Sequence, residues 1–354
     1  MQTGNGELVY VGLSGGVDSA VATLLLKRQG YEVRGVHLRL WEVTPGTTSE
    51  DVASAQFVAE QLQIPLEVLD WRERFRQEVI NPYLAVLSAG NTPNPCMICN
   101  RKIKWGSLWQ YVQAQGAQYL ASGHYAHLLR KQGLVELHKA TSLAKDQSYF
   151  LSILDQATFQ HMLLPLGAYS KPQVRVIAAE AGLKVASRKD SEDLCFLKGF
   201  DQAGFLQHYA ADLLKPGPIR DRQGKLLGEH IGLPLYTIGQ RKGIRVAAEA
   251  PLYVMEKDVP NNSLIVGRGA ELAHSQIITA RPNWISGQTP ALEPTYQVKI
   301  RAAAIPVRAK LQISESGDMI ATLEKPLRDI TAGQYLVIYD GELCLGSAEI
   351  VNSR

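Results

Sequence analysis

The most constraining feature of the chain is near its start, where an apolar run, a glycine pair and an amphipathic segment follow one another. "ELVYVGL" reads as a buried strand. "SGGVDS" (Ser14–Ser19) reads as a tight turn, and "DSAVATLLLKRQG" as a helix closing at Gly30. Gly15 and Gly16 permit positive φ and let the backbone come close to an anion. The helix that follows offers unpaired amides and the positive end of its dipole. A plain strand-to-helix turn has the same residue types, so the loop alone leaves both readings open. Asp18 is an odd neighbour for phosphate unless it caps the helix or helps hold a magnesium ion.

The alternation continues. "YEVRGVHLRLW" and "PLEVLDW" are further strands. "SEDVASAQFVAEQLQ" is an amphipathic helix with Val52, Ala55, Ala59 and Leu62 at helical spacing, and "RERFRQEVINPYLAVLSAG" is another. "KWGSLWQYVQAQG" and "AQYLASGHYAH" carry the rhythm on. The expectation is α/β: an open parallel sheet with helices on both faces, binding ligand at the carboxyl ends of its strands. A chain of 354 residues is too long for one core, and the rhythm does change. From Lys215 the text turns Gly- and Pro-rich with short strands. Beyond "ARPNWISGQTPALEP", short runs separated by turn signals suggest a small β-barrel. The expected division is 1–165 as an α/β catalytic domain, 166–275 as a mixed, β-rich central module, and 276–354 as a C-terminal β-barrel.

The net charge of +3 means that nucleic-acid binding has to come from local basic patches. The N-terminus lacks the pattern of a signal peptide, and no apolar run is long enough to span a bilayer. A cytoplasmic location is therefore expected, with Cys96, Cys99, Cys195 and Cys344 as thiols first.

Three readings of those cysteines compete. Cys96 and Cys99 form half of a zinc site that lacks a second pair. Any of the four, Cys344 in "GELCLG" above all, fits as a small buried apolar residue. The third reading is sulfur chemistry. Cys96 and Cys99 read as lying in a Pro/Asn loop beside Arg101, Lys102 and Lys104, cations that favour thiolate. Cys195 follows Asp190, Glu192 and Asp193, which disfavour it, with Lys189 and Lys198 as a partial offset.

The loop does not match G-x-x-x-x-G-K-[ST]. It resembles S-G-G-x-D-S, the pyrophosphate loop of adenylating enzymes, which grip the β,γ-phosphates while attack falls on the α-phosphorus. The missing lysine thus points away from γ-phosphoryl transfer. In order along the chain, "GLSGGVDS", "TPNPCMICNRKIKWG", "ASGHYA", "AKDQSYFL", "KDSEDLCFL", "YTIGQRKG" and "GQYLVIYDGELCLG" resemble the tRNA-specific 2-thiouridylase family.

That resemblance implies ATP with Mg2+ as cofactors, and as partners the wobble-uridine tRNAs for Lys, Glu and Gln and a persulfide sulfur-donor protein, with no membrane. The uridine O2 is adenylated and then replaced by sulfur from an enzyme persulfide. By motif position, Cys195 receives the sulfur, and Cys99 releases it or closes a transient disulfide with Cys195. Gly12, Leu13, Ser14, Gly15, Gly16, Val17, Asp18 and Ser19 match the ATP loop, and Leu38 and Gly123 match adenosine contacts. Asn94, Pro95 and Cys96 match the segment facing the target base. The family has Asp or Cys at the position of Cys96, and where it is Asp that residue is a proposed proton shuttle. His124, Lys145, Asp146 and Gln147 match tRNA contacts, as do Arg301, Ala302 and Gln334. Alone, His124 reads as a structural histidine and Lys145–Asp146 as a solvated loop. Lys299, Arg301, Arg308 and Lys310 read equally as a strand's solvent face or a phosphate contact. No resident metal is implied. The rival readings are another pyrophosphate-loop synthetase or tRNA thiolase, a non-catalytic nucleotide-binding protein, and a zinc-stabilised RNA-binding module.

Overall fold

A computed structural model describes residues 4–42, 50–188 and 194–354. The first sheet takes β1 (Leu8–Gly12), β2 (Glu32–Arg39), β3 (Leu66–Asp70) and β4 (Tyr119–Ala121). After a hairpin of β5 (His127–Lys131) and β6 (Leu134–His138), it takes β7 (Met162–Leu163). All its pairings are parallel, in the order β3-β2-β1-β4-β7. β1 is central and apolar on both faces, as a doubly covered strand must be. Tyr10 points to one side, where Met97, Trp105, Leu108 and Val112 cover it. Val9 and Val11 point to the other, against Leu26 and Val33. On that second side lie α1 (Val17–Arg28) and α2 (Glu50–Leu62). The helix Lys171–Glu180 shares their core through Val174 and Ala178.

The strands β8 (Gly217–Asp221), β9 (Leu226–His230), β10 (Leu252–Asp258) and β11 (Ser263–Arg268) form a separate sheet in the order β10-β11-β8-β9. The C-terminal part is a closed barrel. Its strands are β12 (His274–Thr279), β14 (Thr295–Lys299), β15 (Val307–Ile313), β16 (Met319–Leu327), β17 (Tyr335–Asp340) and β18 (Leu343–Ser353), and the short β13 (Asn283–Trp284) pairs with β18. The ring runs β12-β16-β15-β14-β17-β18 and closes through the β12–β18 pairing, so it leaves no open edge around its core of Val298, Leu311, Leu336 and Ile338. Cys344 lies in β18, 1% exposed, as the apolar reading expects.

The hairpin β5–β6 belongs by sequence to the α/β part. It pairs with the barrel instead, His138 opposite Leu343 and Leu137 opposite Cys344. Its two short runs could not announce that partner, because the pairing strand lies some two hundred residues later. The helix following β3 contains a π turn, Arg76–Ile80, between Arg72–Phe75 and Asn81–Ser88. No helix among the described residues is long and apolar enough to cross a membrane.

Candidate active site

Gly16 caps α1 with no side-chain acceptor among the described residues, so the first amides of α1 are left without a side-chain cap on that end. Gly15 has φ +77°, and a Cβ there would lie 2.6 Å from Ser54 Cβ and 2.9 Å from Ala55 N, both in α2. The loop therefore sits flat on α2, and only glycine fits. The Ser14 amide donates to Ser19 Oγ at 3.2 Å, and Ser19 Oγ donates to the Gly16 carbonyl at 3.1 Å. Both serines line the cavity onto which the loop opens. Gly123, two residues past the end of β4, approaches so closely that a Cβ would meet Asp18 C and Ser19 N, each at 2.8 Å.

A lysine from far along the chain reaches the loop. Lys171 Nζ, at the start of its helix, donates to both Asp18 carboxylate oxygens at 2.8 Å, and Tyr125 Oη donates to Asp18 Oδ1 at 2.6 Å. Arg188 donates to the Gly15 carbonyl at 3.0 Å. His37, 6% exposed, bonds the Leu13 carbonyl through Nδ1 at 2.8 Å. A carbonyl only accepts, so Nδ1 carries the proton, and burial lowers the ring pKa so that it stays neutral. Sequence reading missed Lys171, Tyr125, Arg188 and His37. None sits at a fixed offset from the glycines, and the signal that could have found His37 was a histidine inside an otherwise apolar strand.

The loop opens into a cavity of about 520 Å³. Gly12, Leu13, Ser14, Asp18 and Ser19 line one end, with Leu38 and Gly123 beside them. Pro95, Cys96, Cys99 and Cys195 line the same space, as do His124, Gln147 and Lys104. Residues from distant stretches of the chain thus share one cavity. Cys344 is not among them.

Cys96 and Cys99 are on a helix, Pro95–Cys99, and not in a loop. Asn94 caps it by accepting the Met97 amide at 3.3 Å, and Pro95 occupies its first turn. An Asn-Pro pair read as punctuation is here a cap followed by a preorganised start. The i,i+3 spacing then puts both sulfurs on one side. The helix continues as a π-helical segment, Asn100–Ser107.

Cys195 opens a short 3-10 turn, Cys195–Leu197. Its neighbour Phe196 is 1% exposed, with ring centroids 5.2 Å from Tyr83 and 5.1 Å from Phe205. Such pairs contribute roughly 0.5–1.5 kcal/mol each beyond burial, so Phe196 pegs the cysteine in place. Asp190, Glu192, Asp193 and Lys189, read earlier as modifiers of this thiol, lie outside the described residues.

All three cavity cysteines are free thiols. The expectation that nearby cations favour thiolate is overturned. Burial pushes the Cys99 thiol up to about 12, with Lys104 opposing. Desolvation likewise raises Cys96 and Cys195, again against Lys104. Cys195 has accessible surface, yet it is recessed among protein groups that keep most solvation away. Arg101 and Lys102 are exposed and are not among the cavity's lining, whereas Lys104 lines it together with the thiols. Burial first, then Lys104, holds the His124 imidazole down at about 3, and its Nδ1 lies 2.6 Å from Ser122 Oγ. No group of three or more metal-ligating side chains occurs among the described residues.

Of the remaining expected contact residues, Gln147 lines the cavity, whereas Asn94, Lys145, Asp146, Arg301, Ala302 and Gln334 are not among its lining. Gln147 Oε1 accepts the Tyr125 amide at 2.9 Å. Asp146 accepts the Ala140 amide at 3.0 Å and the Ser148 hydroxyl at 2.8 Å, which shapes the loop carrying Lys145. Gln334, from the barrel, accepts from Asn94 Nδ2 at 3.4 Å and donates to the Pro93 carbonyl at 3.0 Å. Two of the expected contact residues therefore bond each other across the two modules. Arg301 donates to the Asp329 carbonyl at 2.9 Å, and Ala302 packs against the core cluster that includes Tyr10 and Tyr149. Of the basic stripe, Lys299 donates to the Ala302 carbonyl and Arg308 pairs with Glu324 at 3.1 Å.

Three family models match in series: a tRNA methyl transferase HUP domain over residues 7–199, a tRNA methyl transferase PRC-barrel domain over 203–268, and an aminomethyltransferase beta-barrel domain over 274–350. A tRNA-specific 2-thiouridylase of Magnetococcus marinus is 40% identical over 98% of this chain and 99% of its own length. One from Dichelobacter nodosus is 39% identical over 99% and 95%, and one from Moorella thermoacetica 41% over 96% and 98%. With relatives so similar over the whole length of both chains, this chain belongs to the tRNA-specific 2-thiouridylase family.

Proposed function

We propose that the chain is an ATP-dependent tRNA-uridine 2-sulfurtransferase acting on the wobble uridine of the tRNAs for Lys, Glu and Gln. The observation that carries this reading is the single cavity holding both the S-G-G-x-D-S loop and the sulfurs of Cys96, Cys99 and Cys195. Descriptions of the family models speak of methyl transfer, but a methyl donor gives no task to three thiols around a phosphate loop.

ATP enters with its β,γ-phosphates on the loop amides and the Ser14 and Ser19 hydroxyls, and with adenosine along Leu38 and Gly123. Mg2+ would be held by the phosphates and by the Asp18 carboxylate, which here accepts from Lys171 and Tyr125, and it would supply positive charge against the pyrophosphate. The target base has to leave its stack to reach such a recess. Uridine O2 attacks the α-phosphorus, pyrophosphate leaves, and the oxygen becomes part of a leaving group. Cys195, loaded as a persulfide by a donor protein, attacks C2 and AMP departs. Cys99 then frees the product sulfur. His124 is neutral, so it orients by hydrogen bonding and brings no charge. Asn94, Pro95, Cys96, Lys145, Asp146, Gln147, Arg301, Ala302 and Gln334 form the tRNA-facing rim.

The test is thionucleoside analysis of tRNA from cells whose sole copy carries Cys195→Ser or Cys99→Ser. Both should lose 2-thiouridine. Normal 2-thiouridine in either variant would refute the sulfur roles.

A further inference from the structure

We infer that Lys104 is the electrostatic partner of the reacting sulfurs at Cys195 and Cys99, and that the π-helical segment Asn100–Ser107 is what turns it into the cavity. The inference rests on the sulfur-transfer reading above and adds to it a residue and a device.

In an α-helix, five residues advance about 500°, which would leave Lys104 some 140° away from Cys99. A π turn, bonded i to i+5, uses more residues per turn and brings the fifth residue back toward that face. Ile103 is fully buried beside Cys99, while Lys104 lines the cavity with the thiols. The turn is written into the sequence at Gly106, where a Cβ would lie 2.6 Å from the Arg101 carbonyl oxygen. The same turn delivers Trp105, 4% exposed, to the cavity wall with an indole N–H that has no acceptor among the described residues.

The other charges around the cavity are already engaged. Asp18 pairs with Lys171, Arg39 with Glu42 and Asp70, and Asp51 with Lys198 and Arg188. His37 and His124 are held neutral by burial. Lys104 has no carboxylate or hydrogen-bond partner among the described residues, and its charge acts on Cys96, Cys99, Cys195 and His124 alike.

The chemistry requires such a charge twice. First, the terminal sulfur of the Cys195 persulfide attacks C2 as an anion, a C2–S bond forms, and the C2–O bond breaks with its electron pair leaving on AMP. Then Cys99 Sγ gives its proton to solvent as it attacks Cys195 Sγ, a Cys99–Cys195 disulfide forms, and the S–S bond to the substrate breaks with its pair going to the sulfur on C2, the product anion then taking up a proton. A dithiol reductant resets the disulfide with two electrons. In both steps an anionic sulfur stands in a recess where burial disfavours it.

The experiment is alkylation of Cys195 by iodoacetamide in the full-length protein without ATP or tRNA, read by peptide mass spectrometry between pH 6 and 11. An opposite charge at close range lowers an acid by roughly 1–3 pH units. Lys104→Gln should therefore move the midpoint up by about one unit and slow alkylation about tenfold below it. Lys104→Arg should keep the midpoint, as should Arg101→Gln and Lys102→Gln on the exposed face. An unmoved midpoint in Lys104→Gln overturns the inference, as does an equal shift in Arg101→Gln or Lys102→Gln. If Lys104→Gln does not fold, the Arg variant decides, and a raised midpoint there overturns it. Normal 2-thiouridine in Cys195→Ser would sink the function reading and leave this titration result standing.

Discussion

Gly15 and Gly16 are adjacent in the loop, yet alanine should be tolerated at one and not at the other. At Gly15 an alanine must hold φ +77°, and its Cβ meets α2 backbone and Ser54 at 2.6–3.0 Å. The left-handed conformation costs about 1–2 kcal/mol. Forcing a methyl into a packed contact adds roughly 1–3 kcal/mol. At Gly16 φ is −91°, and the nearest atom to an added Cβ is Ser14 Oγ at 3.4 Å, an ordinary contact. What remains there is the weaker N-cap, about 0.5–1 kcal/mol. The Gly15 cost falls either on stability, if the loop keeps its shape, or on ATP binding, if the loop relaxes away from it. The predicted quantity is therefore the sum of the loss in unfolding free energy, from urea titration, and the loss in ATP binding free energy, from calorimetry with Mg2+. For Gly15→Ala that sum should be at least about 2 kcal/mol, equivalent to roughly thirtyfold in affinity if all of it appears in binding. For Gly16→Ala it should stay near 1 kcal/mol or below. A Gly15→Ala sum under 1 kcal/mol, or Gly16→Ala as the worse variant, would refute the claim that loop shape is set by its seat on α2.

Other expectations follow from the same geometry. Lys171→Ala strips Asp18 of its cation and should abolish release of AMP and pyrophosphate, measured with labelled ATP, while the fold survives. Asn94→Ala removes a cap worth about 1 kcal/mol and the bond to Gln334, so Cys99, buried in the parent, should be labelled several-fold faster by thiol reagents. Burial raises Cys99 to about 12 in the fold against an ordinary thiol near 8.5, so the folded protein binds the proton more tightly. The stability this gives is whole below about pH 8.5 and is lost as pH climbs toward 12, which urea midpoints at pH 8 and 10 should register as a fall. His124 is displaced the other way, to about 3. Its contribution is whole above about pH 6.5 and is lost as pH falls toward 3, so His124→Gln should flatten the acid limb of the same titration.

How much of this was legible follows from the range of the interactions. β1, the glycine turn and α1 are contiguous, and hydrophobic period and glycine placement reveal them directly. The barrel was visible through evenly spaced short strands, because closure needs little beyond such spacing. The Pro95–Cys99 helix was misread, since Asn-Pro serves both as a loop signal and as a cap with its first-turn proline, and local text does not decide between them. The π segment hides for a similar reason. Its mark is Gly106, whose steric purpose appears only when the Arg101 carbonyl is seen behind it. Lys171 was out of reach, and so was the bond between Gln334 and Asn94, because these partners are joined through folding alone.

The thiols illustrate how sequence proximity misleads about charge. Counting Arg101, Lys102 and Lys104 beside the C-x-x-C pair suggests easily formed thiolates. In the fold two of those cations face solvent and burial outweighs the third, so all three cavity thiols are raised. A persulfide is intrinsically more acidic than a thiol. The same desolvation work therefore leaves a sulfur-loaded Cys195 much closer to ionisation at neutral pH than an unloaded one. A cavity that keeps bare thiols protonated, with one cation held ready, discriminates between the two states of its own cysteine. An unloaded enzyme is a poor nucleophile toward the activated uridine. On this argument the raised thiols are no defect in a sulfur-transfer site: they are how the site waits for its sulfur.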